Sequence, residues 1–135
     1  MAGCAASVPV DSPVLDGERS RQCAALAERA PDSVAGAERR EVETTGVALA
    51  WGDPPIVLRC GVPVPAALKP GARCDTIDDV DWFTRGTADG FVFTTIGRAT
   101  TVEVRVPDDY EPAGDALIDV GGAVRASVPV EKRCL

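Results

Sequence analysis

The placement of the five cysteines constrains this chain more than any other feature of its sequence. They stand at widely spaced positions in 135 residues, and no two of them form the C-x-x-C spacing of zinc ribbons and thioredoxin-like motifs. Widely spaced cysteines in a small domain favour disulfides, which form and persist in oxidising compartments outside the cytosol. We therefore expect an exported domain that is crosslinked through pairs of these cysteines, which are Cys4, Cys23, Cys60, Cys74 and Cys134.

The first residues bear on how the protein is retained. No apolar stretch of the length that a secretory signal needs precedes Cys4, and no apolar run is long enough to span a membrane. Ala2-Gly3-Cys4 matches the end of a bacterial lipobox. In that interpretation Met1 stands where a signal peptide was removed, and Cys4 carries the lipid. The alternative is that the letters before Cys4 are an expression remnant in front of an arbitrary cysteine.

The composition excludes several classes of function. The chain has no histidine, so catalytic triads, Cys-His pairs, His-ligated zinc and histidine general bases are excluded. Asp and Glu outnumber Lys and Arg by 21 to 14, which gives a net charge of -7. Because phosphate contacts dominate affinity for nucleic acids, we expect no nucleic-acid partner and no electrostatic binding to anionic membranes.

Two helices are predicted near the ends of the folded region. The first has an apolar face formed by Cys23, Leu26, Ala27 and Ala30. The second has an apolar face formed by Ala113, Leu117, Val120 and Val124. Pro31 ends the first helix, and Pro112 and Pro129 bracket the second.

Short strands joined by turns are predicted between the helices. Alternating apolar residues on both sides of a Gly-Asp-Pro-Pro turn predict a hairpin over 45–61, and a proline-rich loop follows over 62–74. Two very short strands are expected around Asp78 and Asp79. A further hairpin is predicted over 90–107.

That last hairpin has the clearest pattern in the chain. Its strands are expected to join at Gly97-Arg98 in a type II′ turn. Val102, Val104 and Val106 alternate with polar residues, so the valines are predicted to face the core. The residues predicted to face solvent are Thr101, Glu103 and Arg105.

The order of helix, hairpin strands and helix predicts an α+β fold. We expect a single two-layer domain over 17–130, in which a mainly antiparallel sheet of hairpins packs against an N-terminal and a C-terminal helix. Residues 1–16 are predicted to be the lipobox remnant and a flexible tether. At ~3.1 Å per residue, an extended tether would hold the domain roughly 30 to 40 Å from a lipid anchor. Residues 131–135 are predicted to be a tail.

The acidic residues offer a metal-binding interpretation that the spacing does not favour. Asp75, Asp78, Asp79 and Asp81 crowd together and could surround a hard cation such as calcium. Their spacing does not match an EF-hand loop. Aspartate favours turns because it bonds its own backbone, so the sequence predicts an aspartate-rich turn, no metal site and no cofactor.

The two tryptophans are the largest side chains available to a core or a contact surface. In a chain that is only 4% aromatic, such rings are usually core anchors. Trp82, beside Phe83 on a short strand among aspartates, is the better candidate for an exposed contact.

Three stretches of this sequence resemble a known family. They are WGDPPIVLRCG over 51–61, VDWF over 80–83 and GRATTVEVRVPDDYEPA over 97–113. From about Cys23 to Val128 the chain is similar to an actinobacterial envelope family, the domain of unknown function 3515. Members typically carry an N-terminal signal or lipoprotein segment, so the resemblance implies an exported domain with Ala2-Gly3-Cys4 as its lipobox remnant. It implies no catalytic residues, because the family has no established activity.

We therefore expect a non-enzymatic binding or scaffolding module on the outer face of the cell membrane, held there only by a lipid on Cys4. Its expected partner is an envelope protein or a cell-wall component. A rigid Pro-Pro turn beside a tryptophan offers a preorganised contact surface. The candidate binding residues are Trp51, Asp53, Pro54, Pro55 and Trp82. The alternative is a carboxylate-based hydrolase or a small-ligand-binding protein of the envelope, with a deep cleft lined by aspartates. The oligomeric state is left open.

With Cys4 assigned to the lipid, the other four cysteines allow three pairings. Cys23 lies on the apolar face of the first helix and Cys60 on the apolar face of a strand, so both point into the layer between helix and sheet. Cys74 in the loop and Cys134 in the tail have few core contacts to anchor them. We favour Cys23 with Cys60 and Cys74 with Cys134.

Overall fold

The computed structural model describes residues 6–134 and contains, within that range, two helices and ten strands. The helices are α1 (Gly17–Arg29) and α2 (Gly114–Ser127). The strands are β1 (Val8–Pro9), β2 (Ser33–Val34), β3 (Ala37–Arg40), β4 (Val42–Glu43), β5 (Ala48–Trp51), β6 (Ile56–Cys60), β7 (Asp75–Ile77), β8 (Val80–Gly86), β9 (Gly90–Thr95) and β10 (Val102–Pro107).

Eight strands form one sheet, and both helices cover one of its faces. The strand order is β2-β3-β5-β6-β10-β9-β8-β7, and all neighbours are antiparallel. Helix α1 packs against α2, which also contacts β2, β7, β8 and β10. The largest apolar side chains between these layers are Leu26, Trp51, Ile56, Leu58, Trp82 and Leu117. The predicted two-layer α+β fold is confirmed.

The helix limits follow from the prolines, as predicted. Helix α1 ends at Arg29, before Pro31, and α2 begins after Pro112. Gly121 of α2 faces the turn between β7 and β8, where a Cβ atom would lie 3.7 Å from the Asp78 carboxylate. Within residues 6–134, neither helix has the length and apolar content needed to cross a bilayer.

The hairpin between β9 and β10 differs from its predicted form at the turn. Its connection covers residues 96–101, so the two-residue type II′ turn predicted at Gly97-Arg98 is wrong. The carbonyl of Gly97 accepts hydrogen bonds from the amides of Glu131 and Lys132, at 2.7 and 3.0 Å. The connection is thus shaped by the C-terminal residues that bind it.

Glu103 was predicted to face solvent and is instead buried, with 6% of its surface exposed. Its carboxylate binds Arg59 at 2.9 Å and Arg105 at 3.2 Å. Arg59 also donates to the carbonyl of Asp11, at 2.8 Å, so the N-terminal segment covers this part of the sheet. Burial opposes ionisation of Glu103, but the hydrogen bond and charge of Arg59 outweigh it and lower the pKa of the carboxyl.

The prediction of a flexible tether over 1–16 is wrong for its second half. Val8 and Pro9 pair in parallel with β4, and Ser12 is buried, with its hydroxyl donating to the carbonyl of Val47 at 2.9 Å. These polar groups, backbone and side chain, bond to the domain instead of to water. The folded domain therefore begins near Val8. Cys4 lies outside the described residues.

The C-terminal residues 131–134 are also part of the domain, so the predicted boundary at residue 130 is wrong. Val130 forms a β-bridge with Arg98, and the next two amides bind Gly97. Leu135 lies outside the described residues.

Two disulfides are present, and they are the two pairs that the sequence favours. Cys23–Cys60 joins α1 to β6, and both residues are fully buried. Cys74–Cys134 joins the proline-rich loop to the C-terminal residues, and both are partly exposed. Cys23–Cys60 connects the helix and sheet layers, whereas Cys74–Cys134 connects the loop before β7 to the C-terminal residues.

We expect the buried disulfide to contribute more stability than the exposed one, although it closes a shorter loop. In the chain-entropy model both loops are worth about 4 kcal/mol. Replacing Cys23 and Cys60 by Ala also leaves a cavity in the core, which costs about 1 to 2 kcal/mol more. Urea unfolding of the Cys23→Ala/Cys60→Ala and Cys74→Ala/Cys134→Ala variants measures the difference. An equal or larger loss in the second variant would contradict this ranking.

Candidate functional site

Both tryptophans proposed as binding residues lie in the core. Trp51 is fully buried, and its indole Nε1–H donates to the carbonyl of Pro31 at 3.0 Å. Trp82 is also fully buried and packs edge-to-face with Phe93, with ring centroids 6.5 Å apart. The prediction that Trp82 provides an exposed contact is therefore wrong, because its position on β8 points toward the helices. Neither ring can contact a partner.

The other proposed binding residues form the turn between β5 and β6. Asp53 and Pro54 are exposed, and Pro55 is partly exposed. The Tyr110 hydroxyl donates to the carbonyl of Pro54 at 2.7 Å, and the Gly52 amide donates to Glu38 in β3. The turn is thus held on both sides, but the buried Trp51 ring adds nothing to its exposed surface.

The clustered aspartates are bound by arginines instead of surrounding a common centre. Asp75 accepts hydrogen bonds from Thr84 at 2.8 Å and from Arg73 at 3.0 Å. Asp78, in the turn between β7 and β8, binds Arg125 at 3.0 Å. The Thr84 hydrogen bond is the main cause of a lowered pKa at Asp75. The aspartate-rich turn is where the sequence predicts it.

Asp81 and Arg133 form the most buried ion pair at this end of the sheet. Two guanidinium nitrogens of Arg133 donate to Asp81, at 3.0 and 3.1 Å, and a third binds Asp79 at 2.8 Å. The amide of Cys134 and the hydroxyl of Thr76 also donate to Asp81, at 2.9 and 2.7 Å. The Arg133 hydrogen bonds are the main cause of lowering the pKa of Asp81 to about 2.

Cys74, Asp81 and Cys134 bring three possible ligand atoms within 4.8 Å of one another. Both sulfur atoms are used by the disulfide. A metal is bound by thiolates and not by a disulfide, so the oxidised protein presents only the Asp81 carboxylate here. The arrangement is a structural crosslink beside the ion pair of the buried Asp81 with Arg133.

A groove opens beside this crosslink, and we call it the lysine groove. It is lined by residues 68–72, Cys74, residues 96–97 and residues 132–134, and it encloses about 620 Å³. Its walls are the proline-rich loop on one side and the C-terminal residues on the other. The Cys74–Cys134 disulfide ties these walls together.

Lys69 and Lys132 both line this groove, and they are the only lysines in the chain. Sequence reasoning missed the site because these residues are far apart in the chain and neither belongs to a motif. A signal was available in the predicted Cys74–Cys134 pairing, which places the loop of Lys69 beside the tail of Lys132. We therefore take the lysine groove, and not the turn at 53–55, as the candidate binding surface.

Comparisons with known proteins assign a family and no activity. The model of the family described as "Protein of unknown function (DUF3515)" matches residues 2–133. No curated protein and no solved structure matches the chain.

We expect the Asp81 ion pair to govern acid stability. Because the folded pKa lies below the unfolded value of 3.8, its stabilisation is present above that value and is lost as the pH falls toward 2. The loss is about 2 kcal/mol. Asp81→Asn should lower stability at pH 7 by about 2 kcal/mol, since the charged hydrogen bonds between Asp81 and Arg133 are lost while Arg133 keeps Asp79, and should remove this part of the acid dependence.

Urea unfolding between pH 7 and pH 2 measures both effects. Asp108→Asn, an exposed carboxylate on the opposite end of the sheet, is the matched control and should keep the wild-type pH dependence. An Asp81→Asn curve parallel to that of the wild type would contradict the assignment.

Proposed function

This chain belongs to the family of unknown function DUF3515, and from that premise we propose that it is an exported, lipid-anchored cell-envelope protein that acts as a non-enzymatic binding module. The observation that carries the proposal is the pair of closed disulfides, Cys23–Cys60 and Cys74–Cys134. Such crosslinks form and persist in oxidising compartments and are rare in the cytosol. They indicate an extracytoplasmic environment.

Anchoring is proposed through a lipid on Cys4. The four cysteines in the described residues are consumed by the disulfides, which leaves the cysteine of the Ala2-Gly3-Cys4 sequence for modification. Proteolytic cleavage of the Gly3–Cys4 peptide bond frees the Cys4 amine, so a thioether-linked diacylglycerol on its sulfur and an acyl chain on that amine supply the two hydrophobic signals that stable membrane binding requires.

The anchor would hold the domain close to the membrane. Cys4 precedes Val8 by four residues, and Val8 is fixed to β4. At no more than about 3.6 Å per residue, these four residues span at most ~14 Å. The domain would therefore lie against the membrane surface, closer to it than a flexible tether over residues 1–16 would hold it.

A binding role is supported by the state of the carboxylates. A carboxylate-based hydrolase needs one acid whose pKa is raised toward the working pH. The pKa values of Asp75, Asp79, Asp81 and Glu103 are lowered. Hydrogen bonds from Thr84, Arg133 and Arg59 are the main favourable contributions to these shifts. These carboxylates stay ionised, and each already accepts hydrogen bonds from neighbouring side chains.

The lining of the cavities also supports a binding role over a carboxylate-based hydrolase. A glycosidase-like mechanism needs two carboxylates that face each other across the substrate. The cavity of about 400 Å³ between β7, β9 and the start of α2 has Asp75 as the single carboxylate among its described lining residues. The lysine groove has basic and apolar lining side chains. The partner we propose is an envelope protein or a cell-wall component.

Detergent partition tests the anchor. We expect the natural full-length protein, isolated from its own host, to enter the Triton X-114 phase and its Cys4→Ala variant to stay in the aqueous phase, because alanine has no sulfur to carry the lipid. Mass spectrometry of the N-terminal peptide should find diacylglycerol on Cys4. Ser7→Ala is the control and should partition like the wild type.

An unmodified Cys4 in membrane-derived protein, or detergent partition of Cys4→Ala, would contradict lipid anchoring. Export has a separate readout, since alkylation of the freshly isolated protein should label none of the four disulfide cysteines. Labelling of those cysteines would contradict export.

A further inference from the structure

The two lysines of the groove stand apart from almost all other basic residues of the chain. In residues 6–134, every arginine except Arg85 donates a side-chain hydrogen bond. Lys69 and Lys132 form no ion pair in the same range, and both are exposed. In a chain with a net charge of -7, two lysines without an ion pair among the described residues therefore line one groove, together with Arg133.

The rest of the groove is mostly apolar. Leu68, Pro70, Ala72 and Ile96 contribute side chains to its lining, together with the disulfide. A cavity of about 620 Å³ lies within the range of about 300 to 1,000 Å³ that is usual for ligand sites. An occupant that matches this lining has an apolar group for the centre and negative charges for the two lysines.

The C-terminal wall of the groove is held by hydrogen bonds, and the disulfide ties the loop wall to it. Arg133 is held by Asp79 and Asp81, and the amides of residues 131 and 132 are held by Gly97. The Cys74–Cys134 disulfide fixes the opposite wall. A preformed site spares an occupant much of the ordering cost of binding.

The register of the sheet places the groove at the opposite end of the strands from the described residue nearest the proposed anchor, Ala6. Gly97 follows β9 at the end of the strands where β6 also ends, at Cys60. At the other end of the strands, Arg40 donates to the carbonyl of Gly52 at 2.9 Å and to that of Ala6 at 2.7 Å. The N-terminal segment thus leaves the domain beside the turn at 53–55. Resting on the proposed lipid anchor, this turn faces the membrane and the groove faces away from it.

From these features we infer that the lysine groove binds an acidic, apolar-containing segment of another envelope protein. Carboxylates of the segment pair with Lys69 and Lys132, and an apolar side chain between them packs on Leu68 and Ile96. The apolar lining favours a polypeptide over a phosphate polymer, which has no apolar side chain to place there. The distance from the anchor disfavours the lipid headgroups of the same membrane.

Fluorescence anisotropy with short labelled peptides tests this inference on the disulfide-bonded Cys4→Ala chain, which needs no lipid. The probe alternates glutamate and leucine. One comparison peptide replaces glutamate by glutamine, and the other replaces leucine by serine. The Cys4→Ala protein should bind the probe at least tenfold more tightly than either comparison peptide, and 0.5 M salt should weaken that binding.

Lys69→Ala/Lys132→Ala should lower affinity for the probe about tenfold, since two partly solvated charge pairs are lost. Both residues are exposed, so the variant should keep the wild-type melting temperature. Arg85→Ala removes the other exposed cation without a hydrogen-bonded partner in the described chain and should change the affinity less than twofold. Amide NMR shifts should change at 68–72, 96–97 and 131–134 and not at 53–55.

Three results would overturn the inference. The first is equal probe binding by the double lysine variant. The second is tighter binding of inorganic polyphosphate or of anionic phospholipid vesicles than of the probe. The third is self-association of the wild type that the lysine substitutions abolish, which would make a second copy the occupant. Because this protein carries no lipid, failure here is distinguishable from failure of the anchor in the detergent partition.

Discussion

The carboxylate of Asp81 holds the C-terminal end of the chain in place. It is only 3% exposed and accepts hydrogen bonds from Arg133, the Cys134 amide and Thr76. A buried carboxylate without partners would cost several kcal/mol, so burial of Asp81 and return of the tail to β8 stabilise each other. Once the tail is there, its amides bind Gly97 and its cysteine lies beside Cys74. The second disulfide and the lysine groove both depend on this one buried charge.

Much of the fold was predictable because regular elements bury regular faces. The 3.6-residue pattern around Leu26 and the alternation around Val104 each describe one continuous apolar surface. The same reasoning made the Cys23–Cys60 pair predictable, since both residues fall on core-facing positions of their elements. A cysteine pair between two faces of known orientation is a geometric consequence of the patterns that define those faces.

The errors share a different cause, which is burial decided by distant parts of the chain. Trp82 was predicted to be exposed because aspartates flank it in the sequence. Its neighbour Asp81 is in fact buried, since Arg133, 52 positions further on, pairs with it. Glu103 was predicted to face solvent because it alternates with core-facing valines, but the Arg59 ion pair and the N-terminal segment cover it. The lysine groove belongs to the same class, since its two cations come from separate segments. No local pattern indicates these contacts, and for the groove the one available signal is the predicted Cys74–Cys134 pairing.

The two disulfides therefore have different consequences for the protein. Cys23–Cys60 lies inside the core and crosslinks layers that also pack through many apolar side chains. Cys74–Cys134 crosslinks a proline-rich loop and a tail that have little core of their own, and these are the two walls of the groove. Loss of either disulfide would weaken the domain, and loss of the first would weaken it more. Loss of the second would in addition release the wall that carries Lys69. The geometry of the groove is thus tied to the oxidising environment in which that bond persists.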